Sequence, residues 1–139
     1  MPHRKHSAEF HRGLEEAPAA IAALQERWPA AFPRKGHLVR PLASNLAGPV
    51  AAAMGWSTTY AYAVLRRWKF RPSYCRAVLA YDRRIDLDGI VTEQTVAEEA
   101  REQARRQLAF KAERRRHGER AATEKAATAE EAVIPNPTD

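Results

Sequence analysis

The sequence predicts a mainly α fold: a compact helical domain with one small β-hairpin, an extended C-terminal helix and a disordered tail. Three observations predict it. Apolar residues recur at helical spacing through most of the 139-residue chain. One stretch, Arg83 to Val91, instead alternates Ile85 and Leu87 with Asp86 and Asp88 and holds the turn signal Asp88-Gly89. From Ala121 the composition is Ala, Glu and Thr, closing on Pro135, Asn136 and Pro137, with too little apolar surface to hold a fold. Length and composition shifts divide the chain into a loose basic arm (1–13), one domain (14–108), a basic helical extension (109–120) and a disordered tail (121–139).

The elements follow in order. A first helix is expected from Pro18 to Trp28, since proline suits a first turn, Glu15 and Glu16 lie at its positive end, and Ile21, Leu24 and Trp28 share a face. Pro29 ends it, and residues 30–41 read as a loop. Leu42, Leu46, Val50 and Met54 form a four-residue stripe that Pro49 interrupts, so two short pieces or a kink are expected. Gly55 is a stop. Ser57 caps a helix to about Trp68 with Ala61, Val64, Leu65 and Trp68 inward. Arg71-Pro72-Ser73 opens a short helix to about Ala80. After the hairpin, Thr95 and Glu98 have capping-box spacing, and the last helix carries Val96, Ala100, Ala104 and Leu108 inward.

Charge carries the functional signal. Formal net charge is +6, and no acid lies between Glu26 and Asp82, an interval of 55 residues that holds nine cations. Arg83 and Arg84 follow at once. A field of one sign concentrates a polyanion and releases its counterions on contact. Trp56, Tyr60, Tyr62, Trp68, Phe70, Tyr74 and Tyr81 sit among these cations, a mixture that suits unpaired bases or chain ends. The expected partner is nucleic acid. A small-residue helix, a glycine turn and a basic second helix between Val50 and Arg67 also read as a helix-turn-helix, so a DNA regulator using residues 57–68 is the alternative.

Other classes find little support. The five histidines are scattered and Cys75 stands alone, which leaves no zinc pattern and no disulfide framework. Asp82, Asp86 and Asp88 read as hairpin residues, pairing with Arg83 and Arg84 or facing solvent, rather than as paired catalytic carboxylates. No phosphate loop or catalytic triad is present. The expectation is a monomeric, cytoplasmic protein that is no enzyme and takes no cofactor, no small-molecule substrate and no membrane.

Three stretches together resemble the FinO/ProQ domain of bacterial RNA chaperones. They are Leu24-Gln-Glu-Arg-Trp-Pro-Ala-Ala-Phe with Arg40-Pro41-Leu42 after the loop, Leu65-Arg66 through Ser73-Tyr74, and Arg84-Ile-Asp-Leu-Asp-Gly89. The match covers about residues 14–108. It implies a helical domain with a small hairpin that binds structured RNAs at a terminator hairpin and its 3′ tail, protects them and promotes small RNA–target pairing. By position, Tyr74 and Arg84 match the family's functional tyrosine and arginine, and Arg66 a basic position. Two positions depart: Ala43 stands where members carry lysine, and Tyr62 where another basic residue is common.

The site expected from residues and resemblance together is Tyr74 and Arg84 beside the helix opening at Arg71 and Ser73. Arg66, Arg67 and Lys69 are expected to hold the duplex backbone, with Arg76, Arg40 and Lys35 nearby. Free N–H groups at that helix start favour an anion. Tyr74 is either a ligand contact or a half-buried core tyrosine. With Tyr74 as a ligand contact, replacing either Arg84 or Tyr74 by alanine is expected to weaken binding and leave the fold intact.

Overall fold

The computed structural model describes residues 7–133. Among them run α1 (Ala8–Glu15), α2 (Ala17–Arg27), a 3-10 turn (Gly36–Leu38), α3 (Ala47–Met54), α4 (Thr58–Lys69), α5 (Pro72–Ala80), β1 (Arg83–Ile85), β2 (Val91–Thr95) and α6 (Glu98–Val133). The mainly helical class with one hairpin is therefore what the chain adopts.

The fold is assembled around α4. Ser57 lies in extended backbone, and its Oγ accepts the Tyr60 N–H at 3.1 Å, the expected cap. Tyr60, Ala61, Ala63, Val64, Leu65 and Trp68 are buried. α1, α2, α3 and α5 all pack on this helix. Trp68 meets Phe32 edge-on, with ring centroids 5.3 Å apart. Gly55 closes α3 in the left-handed region at φ 73°, as its position predicted.

The hairpin is antiparallel, pairing Arg83 with Thr95 and Ile85 with Val91 across an irregularity. The Asp86 carboxylate accepts the N–H groups of Asp88 and Ile90, each at 2.9 Å, which shapes the turn. Gly89 follows at φ 83°. The other edge of β1 is covered by Pro41 to Ala43. Ile85 donates to the Pro41 carbonyl and accepts from Ala43, both at 2.8 Å, so Leu42 forms a short parallel bridge to Ile85.

Several expectations need correction. The loose arm of 1–13 is helical from Ala8, because Ser7 caps it and Phe10 and Gly13 are buried against α4; residues 1–6 lie outside the described residues. Pro49 falls in the first turn of α3, where its missing N–H costs nothing, so the helix is single and Leu42 belongs to the bridge. Thr95 ends β2, and the helix starts three residues later, so no capping box forms. Asp82 pairs with Arg101 at 3.1 Å instead of Arg83 or Arg84. Finally, α6 runs to Val133 through the stretch expected to be disordered, consistent with its alanine and glutamate content. Residues 134–139 lie outside the described residues.

Gly13 sets how closely α1 approaches α4. A Cβ there would lie 2.7 Å from the Ala63 Cβ and 2.9 Å from the Tyr60 carbonyl oxygen, whereas one on Gly48 would meet nothing within 4 Å. Gly13→Ala should therefore destabilise the fold by about 1–3 kcal/mol through overpacking. Gly48→Ala should stabilise it by up to about 1 kcal/mol through helix propensity. Denaturant melts of the two variants check both signs.

Candidate nucleic-acid interface

A groove of about 280 Å3 opens between α4, α5, β1 and α6. Its cations are Arg66 and Lys69 from α4 and Arg84 from β1, and no carboxylate lines it. Tyr62, Phe70 and Tyr74 supply rings, and Gln103 and Gln107 of α6 supply amides. Tyr62, Arg66 and Lys69 share one face because they recur at i, i+4 and i+7 on a helix. The opposite face of α4 is buried, which fixes the direction of the basic face.

The groove wall is pinned at one peptide. The Leu42 N–H donates to the Tyr74 hydroxyl at 2.9 Å, and Arg84 Nη1 donates to the Leu42 carbonyl at 3.0 Å. Tyr74 is only 4% exposed, so its hydroxyl is first a structural acceptor. Burial raises its pKa, against the lowering effect of the Leu42 hydrogen bond and of the Arg84 charge, and the phenol stays neutral. Lys69 responds the other way. Burial first and repulsion from Arg84 second lower its pKa, so its charge is the one most easily lost in the groove. Cys75 Sγ lies 3.1 Å from Gln107 Oε1, and burial raises the thiol pKa, which leaves it unreactive.

The structure divides the expected residues into three groups. Arg66, Lys69, Tyr74 and Arg84 meet in the groove. Ser73 and Arg76 point to the other side of α5, where they line a second cleft with Gly36, His37 and Tyr81. Arg40 stacks over Tyr81 at 4.1 Å beside it, and Lys35 precedes the 3-10 turn. Arg67 and Arg71 lie at the α4–α5 corner; Arg67 Nε donates to the Leu14 carbonyl, and Arg71 stacks over Trp68 at 4.9 Å. The single pocket expected around α5 is thus split by that helix, because Ser73 and Tyr74 are adjacent and point about a quarter-turn apart. No side chain caps the start of α5. Sequence reasoning counted Tyr62 and Phe70 only among the aromatics interleaved with the cations, not at the site, and missed Gln103 and Gln107. The spacing of Tyr62 to Arg66 carried the signal for the first, whereas the glutamines enter only through the docking of α6.

None of the eight cations expected at the site makes an ion pair among the described residues. The ion pairs present join Arg12 to Glu16, Asp82 to Arg101, and residues within α6. The groove presents cations with no carboxylate among its lining residues, a field of one sign that favours an anion.

The ProQ/FINO family profile matches residues 14–125, most of the chain. The chain belongs to the ProQ/FINO family. Its members are non-enzymatic RNA-binding chaperones. The match runs beyond residue 108, taking in all of the basic extension and the first part of the tail segment. No curated protein matches the chain. The family favours RNA over the helix-turn-helix alternative, since its members bind RNA. No described helix is long and apolar enough to cross a membrane, and no described cluster of side chains is arranged to hold a metal.

The clamp on Leu42 corrects the expectation for Tyr74→Ala, which removes a buried ring and should cost about 3–5 kcal/mol of stability. Tyr74→Phe is the cleaner test. It leaves the Leu42 N–H buried without an acceptor and should lower stability by about 1–3 kcal/mol. Urea denaturation checks it. An unchanged midpoint would mean that the hydroxyl is no structural acceptor.

Proposed function

We propose that this protein binds structured RNA at a terminator-type hairpin and its single-stranded 3′ tail, protects such RNAs and promotes pairing of small RNAs with their targets. It acts in the cytoplasm as a monomer. The observation that carries the reading is the groove in which Arg66, Lys69 and Arg84 converge among aromatic rings without a carboxylate. The tail lies in that groove, its phosphates on the three cations and its bases against Tyr62 and Phe70. The uncapped start of α5, beside Arg71 at the α4–α5 corner, receives the terminal nucleotide, while Ser73 faces the other cleft. Arg67, Arg76, Arg40 and Lys35 add positive potential along the flanks for the duplex backbone, which is read mainly by shape.

The chemistry explains the preference for an end. Ring stacking rewards unpaired bases at roughly 1–3 kcal/mol each, whereas a continuous duplex offers only its backbone to the groove. The glutamine amides supply neutral donors and acceptors for base edges or ribose hydroxyls. With no nucleophile or metal invoked, the protein acts by holding RNA, not by cutting it.

A gel shift with terminator RNA, the same RNA without its tail, a 3′-phosphorylated form and duplex DNA of equal length tests this reading. The intact RNA should bind most tightly, and changes of stem sequence that keep pairing should matter least. Equal binding of all four would leave only a general polyanion binder, and tighter sequence-dependent DNA binding would restore the helix-turn-helix alternative. Arg84→Ala should weaken RNA binding about tenfold or more, the worth of a charge-assisted hydrogen bond.

Proton linkage supplies an independent check at Lys69. The free protein depresses its pKa, and a phosphate beside it favours the protonated form, so binding takes up a proton as pH rises through the depressed value. Affinity should therefore fall towards alkaline pH more steeply for the wild type than for Lys69→Arg, whose charge does not titrate there. Parallel pH profiles for the two proteins would remove Lys69 from the interface.

A further inference from the structure

A second groove, of about 530 Å3, adjoins the first along α6 and shares Phe70, Gln103 and Gln107 with it. Arg67 from α4 and Arg106, Lys111 and Arg114 from α6 line it, again with no carboxylate among the lining residues. Lys111 Nζ donates to the Phe70 carbonyl, which fixes α6 at this point and holds the wall shared by the two grooves. Arg106 has an exposed partner, Glu102, at 3.6 Å, a pair that contributes little in water. Arg67, Lys111 and Arg114 have no ion pair among the described residues.

Phe110 is the informative side chain. It is 62% exposed, large and apolar, and it stands in a groove lined otherwise by cations, amides and the ring of Phe70, which is shared with the first groove. Packing does not account for it, since the ring is largely uncovered. Arg114 lies over its ring at 5.8 Å, so the face of the helix presents a ring and a guanidinium together. A duplex backbone needs only the cations. A ring beside them matches an unpaired base with its phosphate.

We infer that the α6 groove is a second single-strand subsite, in which Phe110 stacks on an unpaired nucleotide of the RNA tail upstream of those held by Arg66, Lys69 and Arg84. The inference rests on the proposed function and adds that the protein senses tail length. From Gln107, the last shared residue, to Phe110 is three residues, about 4.5 Å along the helix, room for one further nucleotide. Only a tail long enough to leave the first groove reaches the ring.

The experiment uses the full chain and one RNA stem whose 3′ tail is lengthened a nucleotide at a time. Wild-type affinity should rise in two stages, the second lost in Phe110→Ala and kept in Phe110→Tyr. Stacking sets the loss at roughly tenfold for long tails, with short-tail affinity unchanged. Phe110 is exposed, so the substitution should leave the melting temperature unaltered. If Phe110→Ala weakens all tail lengths equally, or a blunt stem by the same factor, the α6 face is a duplex contact and the subsite is overturned. If it changes none of them, the ring binds nothing, and the first groove is untouched. A wild-type protein without affinity for any of these RNAs would sink the proposed function and the subsite together.

Discussion

The Leu42 peptide is the point on which the groove depends. Its N–H is held by a hydroxyl from α5 and its carbonyl by a guanidinium from β1, while the peptide groups on either side pair with Ile85. Three segments, Pro41 to Ala43, α5 and β1, are thus set against one another by a handful of hydrogen bonds. Buried backbone groups must find partners, so neither the loop before α3 nor the hairpin can shift without exposing one. The bulk of the core is apolar: Leu24, Phe32, Leu42, Val50, Val64, Trp68 and Ile85 are almost wholly buried, and among the described residues no polar or charged one is. Apolar burial supplies the driving force, and the clamp supplies the register that places Arg84 opposite Lys69.

This arrangement gives Tyr74 and Arg84 two duties. Each holds Leu42, and each faces the groove. A substitution that harms RNA binding at either position mixes loss of contact with loss of placement, as happens wherever a site is built from the groups that support it. Arg66, Lys69 and Phe110 are not bonded into the clamp, so their variants report on the ligand more directly.

Much of this was legible in the sequence, and the reasons are local. Gly55, Ser57, Pro72 and Asp88-Gly89 each fix a backbone geometry that few other residues accept, so α4, α5 and the start and turn of the hairpin could be placed to within a residue or two, whereas β2 runs to Thr95, four residues past the expected end. The inward face of α4 followed from its spacing. α1 was missed because its anchors, Phe10 and Gly13, matter only once α4 lies beneath them; Ser7 with Glu9 in the first turn was the available hint. The continuation of α6 was missed because burial was taken as the criterion for order, whereas an alanine-rich helix in solvent is favoured by propensity. For the site, the acid-free interval correctly signalled unpaired cations, but which of them converge is a property of packing. Arg66, Lys69 and Arg84 come together only through the Leu42 clamp and the docking of α6, and Ser73 is turned away by its place on α5.

The separation of charges then follows from what the groove must do. Ion pairs lie on α1, at Asp82 and along α6, where both partners meet solvent and contribute little to stability. In the groove the cations have no carboxylate beside them; Arg84 donates to the Leu42 carbonyl and Arg66 stacks over Phe70. Burial first, and repulsion from Arg84 second, depress the pKa of Lys69, and a carboxylate would offset the repulsion. Such a carboxylate would also compete with every incoming phosphate. Keeping acids out of 55 consecutive residues maintains the groove as a preorganised, unneutralised surface, in which an arriving phosphate relieves a repulsion already present instead of displacing a partner already bound. The same logic extends along α6, where Arg114 stands over Phe110 and not beside a glutamate: a cation stacked on a ring keeps its charge available, and the ring remains open on its other face.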